Sequence, residues 1–125
     1  MNDKSLFERL GASPGISALV DDIVTAHMAN PVINARYRPL LETPDRLATI
    51  KKHTCAFLEA GSGGPQQYTG RSMLDAHRGM NVSAAEFLAV VDDIMGVLRE
   101  HRIDDETQKD VLAIAYSLKP DIMSV

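Results

Sequence analysis

The sequence predicts an all-α protein. Apolar residues recur at helical spacing almost everywhere, no segment sustains a period of two, and the breaks between periodic runs carry helix caps, prolines and glycines. At 125 residues the chain fits one domain, 1–125, large enough for a real core.

The elements follow in order. Ser5–Leu10 forms a short opening helix that Gly11 stops. Ser13-Pro14 supplies an N-cap and a first-turn proline for a helix whose stripe is Ile16, Leu19, Val20, Ile23, Val24 and Met28, ending near Asn30-Pro31. Residues 31–42 connect, with one helical turn around Ile33–Tyr37 broken by Pro39. Thr43 as cap, Pro44 and the first-turn acid Asp45 open the next helix, striped by Leu47, Ile50, Thr54, Phe57 and Leu58 and halted by Gly61. After the loop Gly61–Pro65 comes a very short helix ending at His77, between Gly70 and Gly79. Ser83 and Glu86 make a capping box for a helix carrying Phe87, Val90, Val91, Ile94, Met95 and Leu98. The last helix starts near Asp104-Asp105 and buries Val111, Leu112, Ala115, Tyr116 and Leu118 before Pro120.

Composition narrows the function classes. Hydrophobic residues at 45% and charged residues at 24% are ordinary for a globular protein. With three Phe, three Tyr and no Trp, the core leans on aliphatic residues and Met. A net charge of −4, with no basic run longer than Lys51-Lys52-His53, argues against a nucleic-acid surface. No apolar stretch approaches the ~20 residues that span a bilayer, and the start, Met1 to Ser5, lacks an apolar leader. A lone Cys55 forms no internal disulfide and fits a reducing compartment, so the expected location is cytoplasmic, without membrane insertion.

The glycines of "GSGGP" follow a helix rather than a strand and precede no Lys-Ser/Thr, so they terminate a helix and cradle no nucleotide. No nucleophile elbow is present. The histidines lie at 27, 53, 77 and 101, with no pair at i+3 or i+4 and no Cys at ligand spacing, which excludes an ordinary zinc site. His27 and His101 sit near helix C-termini, where they complement the dipole. His53 edges the apolar face between Ile50 and Phe57, and His77 follows Met73 by four. Two readings stand: half-buried histidines with satisfied hydrogen bonds, or imidazoles holding a metal between two helices. On the second reading haem iron is the natural candidate, because the porphyrin already brings four nitrogens.

"SLFERLGASPGISALVDDI" and "KKHTCAFLEAGSGGPQQYTGRSMLDAHRGMNVSAAEFLAVVDDI" resemble the group I truncated haemoglobins. The shared order is His, apolar-Phe-Leu, Gly-Gly, Tyr-x-Gly-Arg, His, then a capped helix with Phe87. The resemblance covers nearly the whole chain and implies a shortened globin, a two-over-two helical sandwich around one haem b (iron protoporphyrin IX). It implies that His77 is the proximal iron ligand, that Met73, Met80 and Val82 line the proximal side, and that Phe57 packs on the ring from the distal helix. Tyr68 and Arg71 match positions where polar groups approach the propionates, although surface solvation explains both equally. His53 matches a distal position that in some members binds the iron's sixth site and in others only faces the rim.

The departures from the family pattern bear on ligand chemistry. Val24 stands where the family usually has a tyrosine and Ile50 where it usually has a glutamine, so the distal pocket is expected to be apolar but for His53 and Thr54. Arg36-Tyr37 replaces a Phe pair, with Tyr37 in the haem-wedging place. The resemblance implies binding of a diatomic gas (O2, CO or NO) at iron. It leaves open a bis-histidyl redox, electron-transfer or sensor module and a nitric-oxide dioxygenase-like activity, either of which calls for a reductase or other redox partner.

Overall fold

A computed structural model describes residues 4–125. Met1, Asn2 and Asp3, read above as part of a start without a leader, lie outside the described residues. The described elements are α1 (Leu6–Arg9), α2 (Ala12–Ala29), α3 (Asn34–Tyr37), a 3-10 turn (Arg38–Glu42), α4 (Pro44–Gly61), α5 (Met73–His77), α6 (Ala84–Glu100), α7 (Asp105–Ser117) and α8 (Lys119–Ile122). Among them there is no strand, only an isolated bridge between Val82 and Met123. The all-α expectation holds.

Local chemistry explains most boundaries. Ser5 and Ser83 each form a complete capping box, with Glu8 and Glu86, and the Asp104 side chain accepts from the Thr107 amide to start α7. Pro44 occupies the first turn of α4, where its missing N–H costs nothing. Three expectations need correction. Ser13 does not cap α2: that helix starts at Ala12 with Gly11 before it at φ +94°, and the Ser13 hydroxyl donates instead to the buried Glu59 carboxylate of α4. Thr43 makes no side-chain cap. α7 buries only Thr107 fully and leaves Tyr116 exposed, because its apolar side is half covered, by α6 and α8.

Two helix pairs, α2 with α4 and α6 with α7, join through the packing of α2 on α6. The predicted stripe of α2 is the core: Ile16, Leu19, Val20, Ile23 and Val24 are all buried, against Leu10, Val97 and Leu98. Each fully buried aliphatic side chain contributes about 1.5–3 kcal/mol. A second cluster, Val82, Phe87 and Val91, sits where α6 starts, with Leu112, Ile122 and Met123 around it. α4 is different. Only Ala56 and Glu59 of its residues are buried, so Ile50 and Phe57 remain partly open on a face that no other helix covers completely.

Candidate functional site

The five-residue α5 is far too short to stand alone, since helix nucleation is costly. Its start is held by Ser72, whose hydroxyl accepts from the Asp75 amide at 3.1 Å. Gly70, expected to set that start, lies two residues outside the cap. The far end is tied down by the chain's last residues: the Gly79 and Asn81 amides donate to the Val125 carbonyl at 3.1 and 3.2 Å, and Ser124 N–H donates to Val82 at 3.1 Å. Gly79 takes φ +84°, a conformation that suits glycine, and so lets the backbone turn just after His77.

His77 itself is half-buried and oriented. Its Nδ1–H donates to the Met73 carbonyl at 2.8 Å. A carbonyl can only accept, so a proton sits on Nδ1, and the lone pair of the neutral tautomer with that arrangement lies on Nε2. The imidazole borders a cavity of about 100 Å³ with mostly apolar walls. Of the residues singled out in the sequence, Tyr37, Met80, Val82 and Phe87 line it, and Ile33, Val90 and Ile122 join them. Its charged wall is Arg36 and Glu86. Arg36 grips Glu86 through both Nε and a second nitrogen, the latter at 3.1 Å, and also donates to the Met80 carbonyl at 3.0 Å. The guanidinium, together with the Ser83 amide, holds the Glu86 carboxyl down to a pKa of about 2.

The other predicted residues do not line that cavity. Val24 is buried in the main core. Ile50, Thr54, Phe57 and Met73 are half-buried, and the Thr54 hydroxyl is spent on the Ile50 carbonyl at 2.8 Å. His53 is exposed on α4. The Tyr68 ring stands edge-on to both His53, at 6.4 Å between centroids, and Phe57, at 5.3 Å, while its hydroxyl donates to the Arg71 carbonyl at 2.6 Å. Arg71 is exposed. The site residues thus fall into a His77 group around the cavity and a His53 group on and beside α4.

One cluster went unforeseen. His27, read as a dipole-complementing residue, is 5% exposed, and its Nδ1–H donates to Asp93 at 2.7 Å. Asn30 donates to both oxygens of the same carboxylate, and the Tyr37 ring lies 4.9 Å from the imidazole. Burial lowers the His27 pKa, against the pull of Asp93, and burial likewise raises that of Tyr37. The signal was present: His27 follows Ile23 by four and Val24 by three, on the buried stripe. The Arg36–Glu86 pair had no such signal, because fifty residues separate its members.

Comparison with known proteins agrees with this architecture. The sequence model of a family described as "Bacterial-like globin" matches residues 5–124. The group 1 truncated hemoglobin of Tetrahymena pyriformis is 24% identical over 120 residues, 96% of this chain and 95% of that protein. The crystal structure of that organism's truncated hemoglobin in the Fe(III) form superposes with a TM-score of 0.84 at 23% identity, covering 98% of this chain and 100% of that one. The 2/2 hemoglobin of Synechococcus sp. PCC 7002, solved in the cyanomet state with covalently attached heme, gives 0.83 at 24% identity, over 96% and 98% of the two chains. The resemblance to group I truncated haemoglobins is therefore borne out, and the chain belongs to the bacterial-like globins.

Proposed function

We propose that this globin is a b-type haem protein that binds a diatomic gas, with His77 as the proximal ligand. The observation that carries the reading is the His77 imidazole beside an apolar cavity, with Nδ1–H committed to Met73 and Nε2 left as the donor. Histidine ligands usually have their second nitrogen fixed in this way, which sets ring orientation and strengthens the donor. Haem, when bound, supplies the iron at which the gas is taken up. The residues fit that group: a porphyrin asks the protein for one or two nitrogens and apolar walls, which Met80, Val82 and Phe87 offer at the cavity and the half-buried Phe57 and Met73 offer beyond it. Membership in the globins and the haemoglobin names of the relatives support the same reading.

On the side of α4, the Val24 and Ile50 side chains have no donor to offer, and the Thr54 hydroxyl already donates to the Ile50 carbonyl. A charge-assisted hydrogen bond to a bound ligand is worth about 1.5–3 kcal/mol, roughly 10- to 100-fold in affinity. This favours ligands that bind without distal donation over stable oxygen storage. His53 is then the imidazole available as a sixth ligand on that side, and the second reading, a bis-histidyl redox or sensor module, rests on it.

The deciding experiment is the absorption spectrum of purified protein reconstituted with haem, in ferric and ferrous forms. One equivalent should bind, and His77→Ala should bind loosely or not at all. An unchanged spectrum and unchanged retention in His77→Ala would remove His77 as the ligand.

A further inference from the structure

The His53 group contains an arrangement that the haem reading does not by itself require. Tyr68 lies on the loop between α4 and α5, yet its ring packs edge-on against two residues of α4, His53 and Phe57, that are one helical turn apart. The hydroxyl is pinned to the Arg71 carbonyl at 2.6 Å, so the ring is held at both ends. Gly70 makes this possible. A Cβ there would fall 2.4 Å from the Tyr68 hydroxyl oxygen and 2.6 Å from the ring carbon bearing it, closer than any side chain tolerates.

We infer that Tyr68 is a positioning residue that parks His53 outside the cavity that His77 borders, and that it thereby sets how readily His53 reaches the iron. This deepens the haem proposal and rests on it. The parked imidazole is exposed and stands outside the cavity that His77 borders. Reaching the iron therefore requires His53 to leave its contact with the Tyr68 ring. An edge-to-face contact biases such an equilibrium by roughly 2- to 10-fold, enough to move a site between mostly five- and mostly six-coordinate when the two states are near balance. Phe57, held by the same ring, is half-buried where His53 is exposed, so one tyrosine contacts two neighbours of α4 in different surroundings.

The test uses haem-loaded full-length protein and carbon monoxide as the probe. Tyr68→Leu should raise the six-coordinate, low-spin fraction of the resting spectrum and slow carbon monoxide association by roughly 2- to 10-fold. Gly70→Ala, which must displace Tyr68, should shift both in the same direction. Tyr68→Phe keeps the ring but loses its tie to Arg71 and should fall between wild type and Tyr68→Leu, and in a His53→Ala background Tyr68→Leu should change nothing further. In haem-free protein, NMR should show the His53 ring protons losing the ring-current shift imposed by Tyr68 when it becomes Leu. An unchanged or lower six-coordinate fraction in haem-loaded Tyr68→Leu, or unshifted His53 protons, overturns the inference while leaving the haem reading intact. Failure of wild type to take up haem would sink the haem reading, and this inference with it.

Discussion

His27 shows how much one buried imidazole governs. It donates to a carboxylate at 2.7 Å, yet desolvation outweighs Asp93 and holds its pKa below the usual 6.5. The folded ring is therefore neutral near pH 7, whereas in the unfolded chain it takes up a proton as the pH falls through about 6.5. Between that value and the lower folded pKa the unfolded state binds more protons, so stability is full above about 6.5 and declines below it. His27→Phe should abolish that part of the slope in urea titrations run from pH 8 to pH 5, at a cost at pH 7 of about 1.5–3 kcal/mol for the hydrogen bond to a charged acceptor. A wild-type slope retained in the variant would assign the effect elsewhere. Glu86 works in the same sense lower down. Its pKa falls from 4.5 to about 2, so what the Arg36 pair adds is present above about 4.5 and lost as pH drops through 2. Glu86→Gln should flatten acid unfolding in that window, measured by circular dichroism. The sequence told these residues apart unevenly: His27 lay on a readable stripe, whereas Glu86 was legible as a capping residue but not as the partner of Arg36, which depends on tertiary placement.

At the scale of elements, the seam between α1 and α2 is closed by contact between backbones. A Cβ on Gly15 would lie 2.3 Å from the Leu10 carbonyl oxygen, a group that cannot rotate away. Gly15→Ala gains helix propensity of about 1 kcal/mol but should lose about 1–3 kcal/mol to overpacking. Gly61, at the end of α4, meets nothing within 4 Å, and Gly61→Ala should be neutral or stabilise by up to about 1 kcal/mol. Guanidinium melts of the pair provide the comparison, and equal effects would contradict it. This seam also explains why α2 starts earlier than its sequence predicts. Ser13-Pro14 carries the residue chemistry of a cap, but the α1–α2 turn at Gly11 starts the helix earlier, and Glu59 claims the Ser13 hydroxyl. By contrast, Ser83 caps as its sequence predicts and α7 starts at Asp104-Asp105 as expected, because the capping partners lie three residues away, within reach of local reasoning.

For the molecule as a whole, the half-open face of α4 sets the energetics. Ile50 and Phe57 of α4 and Met73 of α5 are only half-buried against protein, so a ligand that covers them stabilises the native state selectively. Haem at a thousand-fold excess over its Kd should add about 4 kcal/mol. Calorimetry of haem-free and haem-loaded protein should therefore show a clear rise in Tm, and coincident melting curves would contradict it. The all-α class and the α2 core were legible because long periodic stripes report burial directly. The grouping of the site residues was not, because whether His53 faces His77 or Tyr68 depends on how a loop folds back across α4.

The seat of His77 leans on the far end of the chain, through the hydrogen bonds that Gly79, Asn81 and Val82 make with Ser124 and Val125. During synthesis at about 5–20 residues per second, α4 and α5 leave the ribosome several seconds before the residues that fix the turn after α5. Until residue 125 has been added, the imidazole sits on an untethered single helical turn. A cofactor that takes His77 as its ligand therefore meets a firm seat only once residues 124 and 125 have folded back onto the turn after α5.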